Sequence, residues 1–170
     1  MPQTLEELYL HELQDLYDAE RQITEALPQV MQAVSSPDLR QAFERHLMET
    51  REQMNRLDQI FQMMGQNSQG KPCVGVQGLI QEAQQKVQEG GDPEVLQAAL
   101  IGAAQKVEHY EIAGYGTART WARQLGHHDH ADILQMTLNE EGNTDKILTQ
   151  IAESFINEEA ARQGGQQMAA

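Results

Sequence analysis

Apolar residues return every three or four positions through most of this chain, and nowhere do they alternate with polar ones as a strand requires. From Thr4 to about Val34, the residues Leu5, Tyr9, Leu13, Leu16, Ile23, Leu27 and Val30 form one stripe, interrupted by Glu20 and by the Tyr9 hydroxyl. Thr4 is placed to cap this first helix, with Glu7 at the capping-box position, and Pro28 is expected to kink it or end it early. Ser35-Ser36-Pro37-Asp38 then stops and restarts the chain, Ser36 as cap and Pro37 as first helical residue. So short a link makes the second helix, from about Pro37 to Met64, an antiparallel neighbour. Its core face reads Phe43, Leu47, Met54, Leu57, Phe61 and Met64, and His46, Glu49, Gln53 and Ile60 line up along a flank of that face.

Between Gly65 and Pro93 the pattern breaks into turn residues around a short amphipathic helix, Val76 to about Glu89. This is too long for a tight turn and fits a crossover that carries the chain the length of a helix. A third long helix, Asp92 to about Leu125, turns Leu96, Leu100, Ala104, Val107, Glu111, Gly114, Ala118 and Trp121 inward, with Glu108 and Tyr115 beside them. Glycines inside a helix cost about 1 kcal/mol each relative to alanine, so Gly102, Gly114 and Gly116 are each expected to have a packing or functional reason. Gly126-His127-His128-Asp129-His130 is read as a solvent-facing turn, with Asp129 as N-cap. The fourth helix, from about His130 to Asn157, carries Leu134, Leu138, Leu148, Ala152 and Phe155 inward, with Glu141 and Asp145 on the same stripe. The Gln-, Gly- and Ala-rich stretch after it is expected to fray.

Four long helices joined short, long, short describe an all-α, ferritin-like four-helix bundle with one long crossover that contains a short extra helix. The expected organisation is one bundle domain over 1–157 and a flexible tail over 158–170. At 170 residues the chain is long enough to bury a sizeable core. No apolar run approaches the roughly 18 residues of a membrane span, and the N-terminus lacks the basic start and apolar centre of a signal peptide. A cytoplasmic protein without membrane association is the expectation. A net charge of −14 argues against nucleic acid as partner, because phosphate binding needs clustered Lys and Arg, and makes cations the more natural ligands. Cys73 is the one cysteine, which excludes an intramolecular disulfide.

The acids on the apolar faces change the picture from fold to chemistry. Glu20, Glu49, Glu108 with Glu111, and Glu141 with Asp145 all lie near the middle of their helices, as does His46. In a bundle such positions converge at one depth, and carboxylates do not gather in a core without pairing, neutralisation or metal. No Lys or Arg stands on the inward stripes. Two divalent cations would balance the set, and oxygen donors with one imidazole suit iron or manganese better than structural zinc. The competing reading is that several of these acids flank the core and the centre holds no metal.

The segments Glu12 to Gln22 (ELQDLYDAERQ), His46 to Gln53 (HLMETREQ), Ala104 to Ala113 (AQKVEHYEIA) and Leu138 to Asp145 (LNEEGNTD) resemble the bacterial YciE/YciF-type ferritin-like proteins. The resemblance covers nearly the whole chain up to about Asn157. It implies a rubrerythrin-like bundle, a homodimer, and a link to bacterial stress responses. One departure from the wider di-iron pattern stands out: that pattern places Glu-x-x-His on two helices, and no Glu-x-x-His occurs in this sequence. The resulting expectation is a centre of two iron ions, or manganese, that reacts with dioxygen or peroxide. Glu49 and Glu141 would be shared between the metals, Glu20 and Glu108 terminal, and Glu111, Asp145 and His46 would complete the shell. Tyr17 or Tyr110 could serve as a nearby proton or electron donor, the more ordinary expectation being a buried tyrosine that packs in the core. The alternatives are a structural or interaction dimer with a vestigial site, and iron storage, which needs a cage of many subunits.

Overall fold

The computed structural model describes residues 1–167, and these form α1 (Leu5–Ala33), α2 (Pro37–Met64), α3 (Val74–Glu89), α4 (Pro93–Gln124), α5 (His128–Ile151) and α6 (Asn157–Gln167). A π-helical segment, Ala152–Ile156, joins α5 to α6. α1 packs against α2 and α4, and α5 against the same two helices, while the diagonals α1/α5 and α2/α4 make no close backbone contact. The four long helices thus form a square, and the crossover helix α3 lies against α1 and α4. This is the expected ferritin-like connectivity. Among the described residues no helix is long and apolar enough to cross a membrane.

The helix starts follow from local chemistry. Thr4 Oγ1 accepts from the Glu7 N–H at 3.1 Å, Ser36 Oγ from the Leu39 N–H at 3.3 Å, and one Asp92 carboxylate oxygen from the N–H groups of Glu94 and Val95. Gly65, with φ of 63°, ends α2 in the left-handed conformation that favours glycine. Pro28 does not end α1: the helix continues to Ala33, and Val30, Met31 and Ala33 still pack on apolar neighbours. α5 begins at His128, two residues earlier than an Asp129 cap requires, and Asp129 instead puts its charge on the positive end of the helix dipole.

The histidine turn is only partly open to water. His130 is 6% exposed and its Nδ1 lies 3.2 Å from the Tyr9 hydroxyl; His127 stacks on it at 4.8 Å between ring centroids and meets Glu6 at 3.1 Å. This group locks the start of α1 to the start of α5. In the stretch from Glu158 the backbone stays helical to Gln167, and the remaining residues of the expected tail lie outside those described. The π segment, which adds residues per turn, rotates the inward face so that Ile156 is fully buried while Phe155 is only half-buried.

Two apolar clusters fill the bundle. Toward the α1/α2 turn lie Ile23, Leu27, Leu39, Phe43, Leu100 and Leu148 among others; toward the other end lie Tyr9, Leu13, Leu57, Phe61, Ala118 and Leu134. Between them, at mid-helix, is a layer of buried polar groups.

Of the three helix glycines expected to have a packing reason, only Gly114 has one: a Cβ there would meet Leu16 Cδ2 at 2.7 Å, whereas Gly102 and Gly116 face open space. Gly75 is the tighter case, since a Cβ would come within 2.5 Å of the Tyr110 ring. That ring is tethered by its hydroxyl to Asp15 at 2.8 Å and to Cys73 at 3.1 Å, so it has no room to yield. Gly75→Ala is therefore expected to destabilise by roughly 1–3 kcal/mol, as overpacking does. Gly102→Ala should stabilise by up to about 1 kcal/mol through helix propensity. Urea unfolding midpoints of the two variants check both signs.

Candidate metal centre

Four of the inward polar side chains converge. One ligand atom from each of His46 on α2, Glu108 and Glu111 on α4, and Glu141 on α5 lies within 4.8 Å of the others. None of the four is more than 3% exposed. Glu20 on α1 is fully buried beside Glu111, and its Oε1 accepts from the Tyr115 hydroxyl. Glu108 and Glu141 are neighbours in the same way. All four helices thus supply the layer: α1 Glu20, α2 His46 and Gln53, α4 Glu108, Glu111 and Tyr115, α5 Glu141.

The electrostatics are those of acids held away from water. Burial pushes Glu20, Glu108 and Glu111 well above the usual carboxylate range, and their mutual charges push in the same direction. Glu141 is raised to about 7, by burial first. Burial also depresses His46 to about 4, so the imidazole is neutral at pH 7. Its Nε2 lies 3.3 Å from Glu108 Oε1, the approach of a neutral ring and not an ion pair. A neutral imidazole has one N–H, and the other ring nitrogen, Nδ1, is buried without a partner.

If the carboxyls are ionised, Glu20 Oε2, Glu108 Oε2, Glu141 Oε2 and both oxygens of Glu111 also lack donors. A proton shared within each pair, Glu20 with Glu111 and Glu108 with Glu141, would satisfy some of them; a cation would satisfy more. Among the described residues no Lys or Arg pairs with Glu20, Glu108, Glu111 or Glu141. Arg56, about one helical turn from Gln53, is spent on Glu140 in a two-bond contact at 2.6 and 2.7 Å.

The seven residues proposed from sequence divide into two groups. Glu20, His46, Glu108, Glu111 and Glu141 form the buried layer. Glu49 and Asp145 stand outside it, their side chains 19% and 22% exposed. Glu49 is paired with Arg45 at 2.8 Å, and Asp145 accepts from Gln105 at 3.0 Å. The reason is rotation. The inward row of α5 runs Leu134, Thr137, Glu141, Thr144, Leu148, which places Asp145 about 100° round the helix from Thr144. On α2 Phe43, Leu57 and Phe61 of the expected core face are buried while Leu47 and Met54 are only half-buried, and the flanking row His46, Gln53 and Ile60, with Thr50, is buried as well. Glu49 sits beside that row.

Tyr17 and Tyr110 also face away from the layer, bonding Asp58 at 3.4 Å and Asp15 at 2.8 Å. The tyrosine that touches the layer is Tyr115. Gln53, which donates to Glu141 at 2.5 Å and to Glu140 at 3.1 Å, was not foreseen as a participant. Its signal was present: it lies seven residues, two helical turns, after His46.

The profile of DUF892, a domain of unknown function, matches residues 4–161. The chain is 45% identical over 158 residues to protein YciF of Escherichia coli K12, covering 92% of this chain and 95% of that protein. The crystal structure of the E. coli stress protein YciF superposes with a TM-score of 0.88 at 44% identity, over 92% of this chain and 99% of that one. YcfI of Rhodopseudomonas palustris, for which a structural role has been suggested, gives 0.84 at 47% identity, over 86% and 94%. A Xanthomonas campestris protein shares the fold, with a TM-score of 0.74 at 19% identity over 95% and 99%.

The raised acids predict a pH dependence for the metal-free protein. Between the ordinary glutamate value of 4.5 and about 7, folded Glu141 keeps a proton that the unfolded chain has released. Stability therefore falls as pH rises through that window. Thermal unfolding in chelator should show a folded state weaker at pH 8 than at pH 5, by roughly 2 kcal/mol from Glu141 alone. Glu20, Glu108 and Glu111 act in the same direction. A flat or rising profile would mean that water reaches these carboxyls.

Proposed function

We propose that this chain, which belongs to the DUF892 family, is a stress-associated bacterial protein whose central layer holds two divalent ions, iron or manganese, accessible to dioxygen or peroxide. The observation that carries the reading is the charge of that layer. Four enclosed carboxylates, Glu20, Glu108, Glu111 and Glu141, amount to −4 when ionised, and two divalent cations neutralise that number. One cation would leave a net negative charge in an apolar interior, at a cost of several kcal/mol. The donor set, hard oxygens and one neutral imidazole, suits iron or manganese and not the thiolate-rich sites of structural zinc.

Glu20, Glu108, Glu111, Glu141 and His46 would hold the ions, which when bound supply electrons for reduction of dioxygen or peroxide. The remaining work belongs to the chain. Gln53 orients Glu141, and Tyr115 holds its hydroxyl proton at Glu20 Oε1. Apolar clusters on both sides keep bulk water from the layer, which strengthens every polar contact within it. Glu49 and Asp145 stand at the edge of the layer, where their carboxylates act on Glu141 and Glu108 respectively. The association with stress rests on the likeness to E. coli YciF, and a cytoplasmic homodimer is the assembly that the family resemblance suggests.

A second reading, a structural dimer with an unused site, has support in the role suggested for the R. palustris relative. The two part company on metal content and on one double variant. Elemental analysis of protein purified without chelator should find two iron or manganese ions per chain. Free Fe(II) or Mn(II) at a hundred times its Kd should then raise stability by about 2.7 kcal/mol. Glu108→Gln with Glu141→Gln should abolish that gain while stabilising the metal-free protein through relief of repulsion. Purified chains without metal, and no shift on adding either ion, would favour the structural reading.

A further inference from the structure

Beside the polar layer is a cavity of about 280 Å³ that the bundle leaves between α1, α4 and the crossover helix α3. Its walls are apolar, Ile23, Phe43, Leu100 and Val107 among them, and its inner end is formed by His46 and Glu108. Its outer rim carries Gln84 and Gln88, both uncharged. The space persists because small side chains face it: Ala26, Ala83, Ala103 and Ala104 line the gap that larger residues would close. α3 spans it loosely. Only Val76 of α3 is buried, while Ile80 and Val87 are half-buried against the opening.

We propose that this cavity binds a neutral, aliphatic small molecule with a hydroxyl head, the hydroxyl lying at His46 and Glu108. Three observations select that chemistry. Size comes first: an apolar cavity of about 150 Å³ accommodates benzene, so this volume takes a molecule of about ten non-hydrogen atoms. Charge comes second. No Lys or Arg lines the cavity, its one ionisable acid is Glu108, and the chain carries −14, so an anionic head meets repulsion and no partner. The inner end is the third, since His46 Nδ1 and Glu108 Oε2 are buried polar atoms without a partner, and a hydroxyl, donor and acceptor at once, can meet them. That this molecule is also what the centre acts on rests on the metal reading above; its binding to the metal-free chain does not.

The test is methyl and imidazole NMR of the metal-free full chain titrated with 1-octanol, with sodium octanoate as control. Expected are one octanol per chain and contacts from its methylenes to Ile23, Val107 and the His46 ring, with octanoate at least about tenfold weaker at neutral pH. Ala104→Phe, which fills the cavity, should abolish binding; Ile80→Trp, on the half-exposed face of α3, provides the same block if the first variant fails to fold. Absence of those contacts overturns the proposal. So does equal binding of octanoate, or signals from these residues that respond to protein concentration and not to octanol, which would mean that a second copy covers the opening. A chain that takes up octanol but no iron or manganese retains the cavity and loses the metal reading. One that loads metal and ignores octanol does the reverse.

Discussion

Four glutamates enclosed at one level of a helical bundle, with no protein cation to meet them, are the constraint on which this structure turns. Isolated charge is costly in such surroundings, and like charges a few ångströms apart are costlier still. The chain answers in two ways at once. Acids that reach the interior are arranged in pairs able to share a proton or a cation, Glu20 with Glu111 and Glu108 with Glu141. Acids one step round the helix are paired with guanidinium groups at the edge, Glu49 with Arg45 and Glu140 with Arg56. Salt bridges at the edge thus flank a centre whose acids have no such partner.

The rest of the bundle follows from keeping that layer level and dry. Capped starts at Thr4, Ser36 and Asp92 set the register of three long helices. At one end, the Gln97 amide oxygen accepts from the Ser35 and Ser36 N–H groups and ties α4 to the α1/α2 turn. At the other, Tyr9, His127, His130 and Glu6 tie the start of α1 to the start of α5. An apolar cluster lies between each tie and the centre. The α3 face is loosely packed, and small residues there line a cavity that reaches His46 and Glu108. Access to the centre, if it has chemistry to perform, is easiest there.

The bundle and its crossover were legible in the sequence because helix period, caps and loop lengths are local properties, each decided within a few residues. So was the presence of a buried acidic layer: Glu20, Glu108, Glu111 and Glu141 interrupt apolar stripes near mid-helix, and His46 lies at the same depth. Less legible was the angular position of each side chain. Glu141 and Asp145 are four residues apart, about 40° round a helix, and both fall within the arc that a sequence stripe can claim as inward. The same holds for Glu49 against Gln53.

Sequence alone therefore determined that this chain is a four-helix bundle with carboxylates and one imidazole at a common depth, because depth is set by distance along a helix from its cap. Tertiary packing decided which of those groups meet. The rotation of each helix about its own axis depends on how its whole side-chain surface fits three neighbours at once. That fit turned Glu49 and Asp145 to the edge, brought Gln53 and Tyr115 to the centre, and left an apolar cavity beside His46 and Glu108.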